Sequence, residues 1–177
     1  VRGAELIDLT IPEKKIPAQG HATFAAVPPR MVIVDTGNYY PQQRDGRIAD
    51  IEDGMPESVW VARHIGRPVI KAFNNIYAKH LLEAGRPSGT PGRIALPVAG
   101  DDAQARKKVM DLVDGLGFDP VDAGLLAGSW RQQPGTPVYC ADLDAQGVRQ
   151  ALAHARPERL PQWRATDKSP GSFDQPA

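Results

Sequence analysis

"VIVDTGNYYPQQRDG", residues 32–46, starts as an apolar strand and stops abruptly. Met31 to Val34 has no polar interruption, the pattern of a strand buried on both faces of a parallel sheet. Asp35 is then followed by Thr36, Gly37, Asn38, two tyrosines and Pro41. A surface turn has use for Gly and Asn but none for paired tyrosines. A ligand-facing loop at the carboxyl end of a parallel strand has use for all of them.

Strands and helices alternate on either side of this stretch. "LIDLTI" (6–11) reads as a strand stopped by Pro12, and residues 13–27 carry a weak helical period through Ile16, Phe24 and Val27. An irregular stretch runs on to Gly54. Pro56 and Glu57 then open a helix with "ESVWVARHI" as its body and Gly66 as its stop. "RPVIKAF" (67–73) is the next strand and "NNIYAKHLLEAG" (74–85) the next helix, followed by the strand "RIALPVAG" (93–100). In "DDAQARKKVMDLVDGLG" (101–117) Asp101 or Asp102 caps a helix whose Val109, Leu112, Val113 and Leu116 recur at i, i+3, i+4, i+7 and should point inward. "FDPVDAG" (118–124) gives a strand and "DAQGVRQALAHAR" (144–156) a last helix. From Pro157 onward proline, charge and serine dominate, so residues 1–156 are expected to form the domain and 157–177 a disordered tail. The alternation predicts an α/β fold, a mostly parallel sheet with helices on both faces and ligands outside the carboxyl ends of the strands. Four such ends are "TIPE" (10–13), "DTGNYYP" (35–41), "KAFNNI" (71–76) and "VAGDD" (98–102).

Composition removes several function classes. Lys plus Arg (21) equals Asp plus Glu (21) and the basic residues are scattered, which argues against a nucleic-acid surface. No segment approaches the roughly 18 apolar residues of a membrane span. The single cysteine, Cys140, excludes an internal disulfide and fits a reducing, cytoplasmic setting. His21, His64, His80 and His154 are dispersed and show no metal-ligand spacing. No G-x-S-x-G occurs, and Cys140 has no local motif that would make it a nucleophile.

"VIVDTGNYYPQQRDG", "PVIKAFNNIYAKHL" (68–81), "PGRIALPVAGDDAQARKKVMDLVDGLGFDPVDAG" (91–124) and "SWRQQPGTPVY" (129–139) together resemble the coenzyme F420-dependent NADP oxidoreductases and related dinucleotide-binding proteins. The similarity runs from about residue 4 to about residue 140. It implies a Rossmann-type domain carrying hydride between NADP(H) and a deazaflavin (coenzyme F420) or flavin acceptor, and association into a homo-oligomer. Members of that group open with a strand, a G-x-G-x-x-G/A turn and a helix whose N-terminus holds the pyrophosphate. The sequence contains no such turn. By the resemblance it corresponds to the second half of the dinucleotide-binding fold, with a shortfall of roughly 60 to 80 residues at 30 or more per βαβ unit.

Hydride transfer needs stacked rings and excluded water rather than a side-chain nucleophile. The resemblance puts Ile11 and Pro12 beside the nicotinamide ribose, or leaves them as a plain strand stop. Asn38 bonds a ribose or carboxamide, or closes an Asx turn in its own loop. Of Asn74 and Asn75, one faces the cofactor and the other caps a helix beginning at Ile76. Ala99 and Gly100 leave room for a ring, or Gly100 merely permits the turn. Tyr39 and Tyr40 wall the acceptor site or serve an interface, and the same choice holds for Trp130 with Arg131. Lys71 reads as a structural or solvent-edge lysine. Without the pyrophosphate turn, a second function stays open: a non-catalytic remnant or interaction module that keeps the α/β scaffold.

Overall fold

The computed structural model describes residues 4–158. Residues 1–3, and 159–177 of the expected tail, lie outside the described residues. Five strands form one sheet in the order of the chain: β1 Leu6–Leu9, β2 Val32–Asp35, β3 Ile70–Lys71, β4 Ala95–Ala99 and β5 Asp119–Gly124. The helices are α1 Ile16–Ala25, α2 Ala49–Glu52, α3 Glu57–Ile65, α4 Ala78–Glu83, α5 Ala103–Gly115 and α6 Ala145–His154. Short turns occupy Glu13–Lys15, Pro41–Asp45 and Leu126–Gln132.

Side chains alternate across β2 and sort the helices into two layers. Ile33 joins Phe24 of α1 and Trp60, Val61 and Ile65 of α3 in one apolar cluster. Val34 points the other way, to Ile70, Val98 and Val109 and Val113 of α5. Val148, Ala151 and Leu152 of α6 cover Ala95 and Val121 of the last two strands. The helices therefore lie on both faces, as the alternation of the sequence requires.

β1, β2 and β3 are parallel, with Asp8 beside Val34 and Val34 beside Ile70. β4 and β5 are parallel to each other, but β4 runs antiparallel to β3 through the Lys71–Ala99 pair. The connection explains the reversal. α4 has six residues, about 9 Å of rise, and the chain returns to the end of the sheet it has just left. Only three of the four expected strand ends therefore share a side, and "VAGDD" emerges at the opposite end.

Two helices depart from the reading of their periodicity. On α5, Val109 and Val113 are fully buried, but Leu116 is 47% exposed and Leu112 only half-buried. Its inner face is completed by Ala105 and Met110. Leu116 falls just after the last helical residue, where the chain turns away from the axis toward β5. Asp102 caps α5 as expected, accepting from Gln104 N at 2.8 Å and Ala105 N at 3.1 Å. α4 begins at Ala78 rather than Ile76, with Tyr77 before it and no side-chain cap. Neither asparagine caps it.

Candidate functional site

Three parallel strands release their chains at one end of the sheet, and amides tie the loops after β2 and β3 to each other and to Gln132. Asn38 Nδ2 donates to the Asn74 carbonyl at 2.9 Å. Asn74 Nδ2 donates to Asn38 Oδ1 at 3.0 Å and to the Gln132 carbonyl at 2.7 Å. Gln132 Nε2 closes the set on Asn74 Oδ1 at 3.0 Å. Phe73, between β3 and Asn74, has φ 62°, a conformation side-chain-bearing residues rarely adopt, and it carries the chain out of the strand toward this cluster. Asn74 and Gln132 are buried, whereas Asn38 is half-buried. The Asn38 amide has two N–H donors and two acceptor lone pairs. One of each is used on Asn74, which leaves one N–H and one lone pair at the half-exposed edge.

Beneath the amides lies a charged layer. Lys71 is fully buried, and its Nζ meets Asp35 Oδ2 at 3.2 Å and donates to the Gly37 carbonyl at 2.5 Å. Asp35 also accepts from Ser58 Oγ at 2.7 Å and Gly37 N at 2.9 Å, so the Asx turn of this loop belongs to Asp35 and not to Asn38. Glu13 is 1% exposed, and its Oε1 lies so close to the Gly37 Cα that any Cβ there would collide with it. Burial, together with the neighbouring Glu57, Asp35 and Asp45 carboxylates, raises the Glu13 pKa from 4.5 to about 8, against the opposing charge of Lys71. Glu13 is therefore shifted toward its protonated form near neutral pH.

Residues 41–45 make one wide turn, in which Asp45 N and Gly46 N reach back five residues to Tyr40 O and Pro41 O at 3.0 and 2.8 Å. Such turns are frequent at functional sites. This one aims Arg44 back at the strand ends. Arg44 Nη2 bonds Glu13 Oε2 at 2.6 Å, Asp45 Oδ2 at 2.9 Å and the Asn38 carbonyl. Its guanidinium lies 5.3 Å from the centre of the Tyr40 ring. Burial opposes the Arg44 charge, but the hydrogen bond to Asp45 together with the Glu13 and Asp45 carboxyl groups holds the guanidinium above its ordinary pKa.

The residues expected at the site separate into three groups. Ile11 and Pro12 are half-buried at the end of β1, and Asn38, Asn74 and Tyr40 lie beside or across from them on β2 and β3 loops. Tyr39 belongs to the core at 1% exposure, with its hydroxyl donating to Gly46 O and accepting from Ile48 N, both at 3.0 Å. Its ring is packing. Asn75 is buried and fastens the 138–140 segment, accepting from Cys140 N at 2.9 Å. Ala99 and Gly100 are at the far end of the sheet, and the space beside Gly100 is filled by Ile70 and the Val69 carbonyl. Gly100 permits close packing there. Tyr40 shares a hydrogen bond with the Tyr139 hydroxyl, and burial raises the pKa of both phenols. Trp130 lines an open cleft of about 640 Å³ with Ile51, Met55 and Gln133.

No family model matches the chain. "Putative protein YjhV" of Escherichia coli (strain K12) is 49% identical over 90 residues, which is 51% of this chain and 58% of that protein. The chain thus spans less than two thirds of that curated relative. A solved structure of the hypothetical protein SMa0349 from Sinorhizobium meliloti matches 80% of this chain and 67% of its own, at 28% identity and a TM-score of 0.63. A second, titled a "putative f420 dependent nadp-reductase" from Arthrobacter sp. FB24, matches 72% of this chain and 58% of its own, at 24% identity and a TM-score of 0.54. The fold is shared with both.

Sequence reasoning missed Glu13, Arg44, Gln132 and Tyr139. An aspartate and a lysine inside apolar strands were a usable signal for the buried charge layer, because such groups enter a core only when paired. Nothing local marks Gln132, which reaches Asn74 across 58 residues of sequence. Among the described residues no three His, Cys, Asp or Glu side chains converge on a metal position, and no helix is long and apolar enough to cross a membrane.

Proposed function

We propose that this chain carries the nicotinamide side of an NADP(H)-dependent oxidoreductase that passes hydride between NADPH and a deazaflavin or flavin ring. The observation that carries this reading is the half-exposed Asn38 amide, held by Asn74 over the ends of three parallel strands with one donor and one acceptor unspent. A carboxamide is the complementary group, since it offers one acceptor and one donor in the same plane. Ile11 and Pro12 supply an apolar strand end across from it, where a flat ring displaces water. The bound nicotinamide would supply the hydride, and the residues here bind, orient and exclude water. The shared fold with the reductase-titled structure supports the same reading. Residues 1–177 contain no G-x-G-x-x-G turn, so the affinity of these residues alone for NADPH is expected to be weak.

A second reading, an interaction module without cofactor affinity, is favoured by the closure of Asn74 and Gln132 on each other. Titration with NADPH, followed by its fluorescence, separates the two. Weak binding that Asn38→Ala lowers about tenfold, with NADPH oxidation when FMN or a deazaflavin is added, supports the reductase. If NADPH does not bind, or if Asn38→Ala lowers thermal stability and leaves binding unchanged, the module reading replaces it.

A further inference from the structure

The Arg44 guanidinium has one nitrogen that the fold does not use. Its bonds run from Nε and Nη2 to Asp45, Glu13 and the Asn38 carbonyl, and Nη1 has no protein partner among the described residues. The side chain is 35% exposed. Lys14 is exposed beside it, with its Nζ on the Arg44 carbonyl and its backbone N near Asp45 Oδ1 at 3.4 Å. Four groups anchor the Arg44 guanidinium: Glu13, Asp45, the Tyr40 ring and the Asn38 carbonyl. Little side-chain entropy would then be lost on binding. The exposed Lys14 and the partly exposed Arg44 side chain thus present two cationic groups beside the Asn38 carbonyl.

We infer that Arg44 and Lys14 form an anion-receiving subsite, which takes a phosphate or carboxylate belonging to the ligand whose ring lies over Asn38. A guanidinium held through Nε and Nη2 and open at Nη1 can donate its remaining N–H bonds to an anionic oxygen. This deepens the reductase reading and rests on it for the ring, but the anion chemistry stands on its own. The anion has two possible sources, a phosphate of NADPH and the charged tail of the acceptor.

The test uses the full chain, with amide and arginine side-chain resonances followed by NMR. Inorganic pyrophosphate is expected to shift Arg44 Nε–H and the backbone amides of Lys14 and Tyr40, with an effect that fades as salt is raised. FMN is expected to bind about tenfold tighter than riboflavin, the gain of one charge-assisted contact. Arg44→Gln should reduce that ratio to less than twofold, and Arg44→Lys should restore part of it. Should Arg44→Gln fail to fold, the exposed Lys14→Gln variant carries the same comparison. Shifts with NADPH but none with FMN would assign the anion to NADPH and leave the subsite standing. Pyrophosphate shifts without hydride transfer to any acceptor would uphold the subsite and refute the reductase reading. Resonances of Arg44 and Lys14 unmoved by pyrophosphate, FMN and NADPH alike would overturn the inference.

Discussion

Replacing Glu13 by Gln tests which force governs the charged layer under the strand ends. Arg44, at 2.6 Å, favours the ionised carboxylate. Burial at 1% exposure and three neighbouring carboxylates favour the protonated form, and they prevail, with a pKa near 8. A group whose folded pKa is raised adds stability that is full below its unfolded pKa and lost as pH rises through the folded one. For Glu13 that window runs from 4.5 to about 8. At about 1.4 kcal/mol per pH unit, the whole interval corresponds to roughly 5 kcal/mol. Gln keeps the shape against Gly37 and cannot ionise. Urea unfolding of both proteins at pH 5, 6.5 and 8.5 should therefore show the wild type losing several kcal/mol relative to Glu13→Gln as pH rises. The variant should be the more stable at pH 8.5. A difference constant within about 0.5 kcal/mol would refute the argument. So would a wild type that gains on the variant with rising pH, because the Arg44 ion pair would then dominate and the pKa would be depressed.

Lys71→Met leaves Asp35 buried without its cation and should cost about 3–5 kcal/mol in denaturant unfolding. Adding Asp35→Asn should recover part of that loss, and a double variant no better than the single one would show that the pair is not coupled. On α5, Val113→Ala should cost about 2 kcal/mol for two buried methyl groups, while Leu116→Ala should stay within about 0.5 kcal/mol. Equal costs by thermal or urea unfolding would restore Leu116 to the core.

Much of the layer structure was legible before any coordinates. The apolar run to Val34, the Pro56–Gly66 bracket of α3 and the Asp102 cap of α5 each depend on forces acting within a few residues, so spacing and residue type reveal them. The charge in "VIVD" and "VIKAF" was visible as well, although its partners were not. What local pattern could not carry was direction and contact between distant segments. A strand, a short helix and another strand read alike whether the chain crosses back along the sheet or returns at the same end. The reversal of β4 moved Ala99 and Gly100 away from the site the other strand ends share. Tyr39 and Tyr40 are neighbours of one residue type, yet one fills the core and the other faces Tyr139, because extended backbone sends successive side chains to opposite sides. Asn38 meets Asn74 across 36 residues and Asn74 meets Gln132 across 58. Those hydrogen bonds, and the proton that burial places on Glu13, exist only once packing removes water and brings the segments together. The sequence by itself determined the layers and the identity of the strand-end loops. Tertiary structure alone decided which of those loops form one site, because its hydrogen bonds and desolvation join residues that no local interaction links.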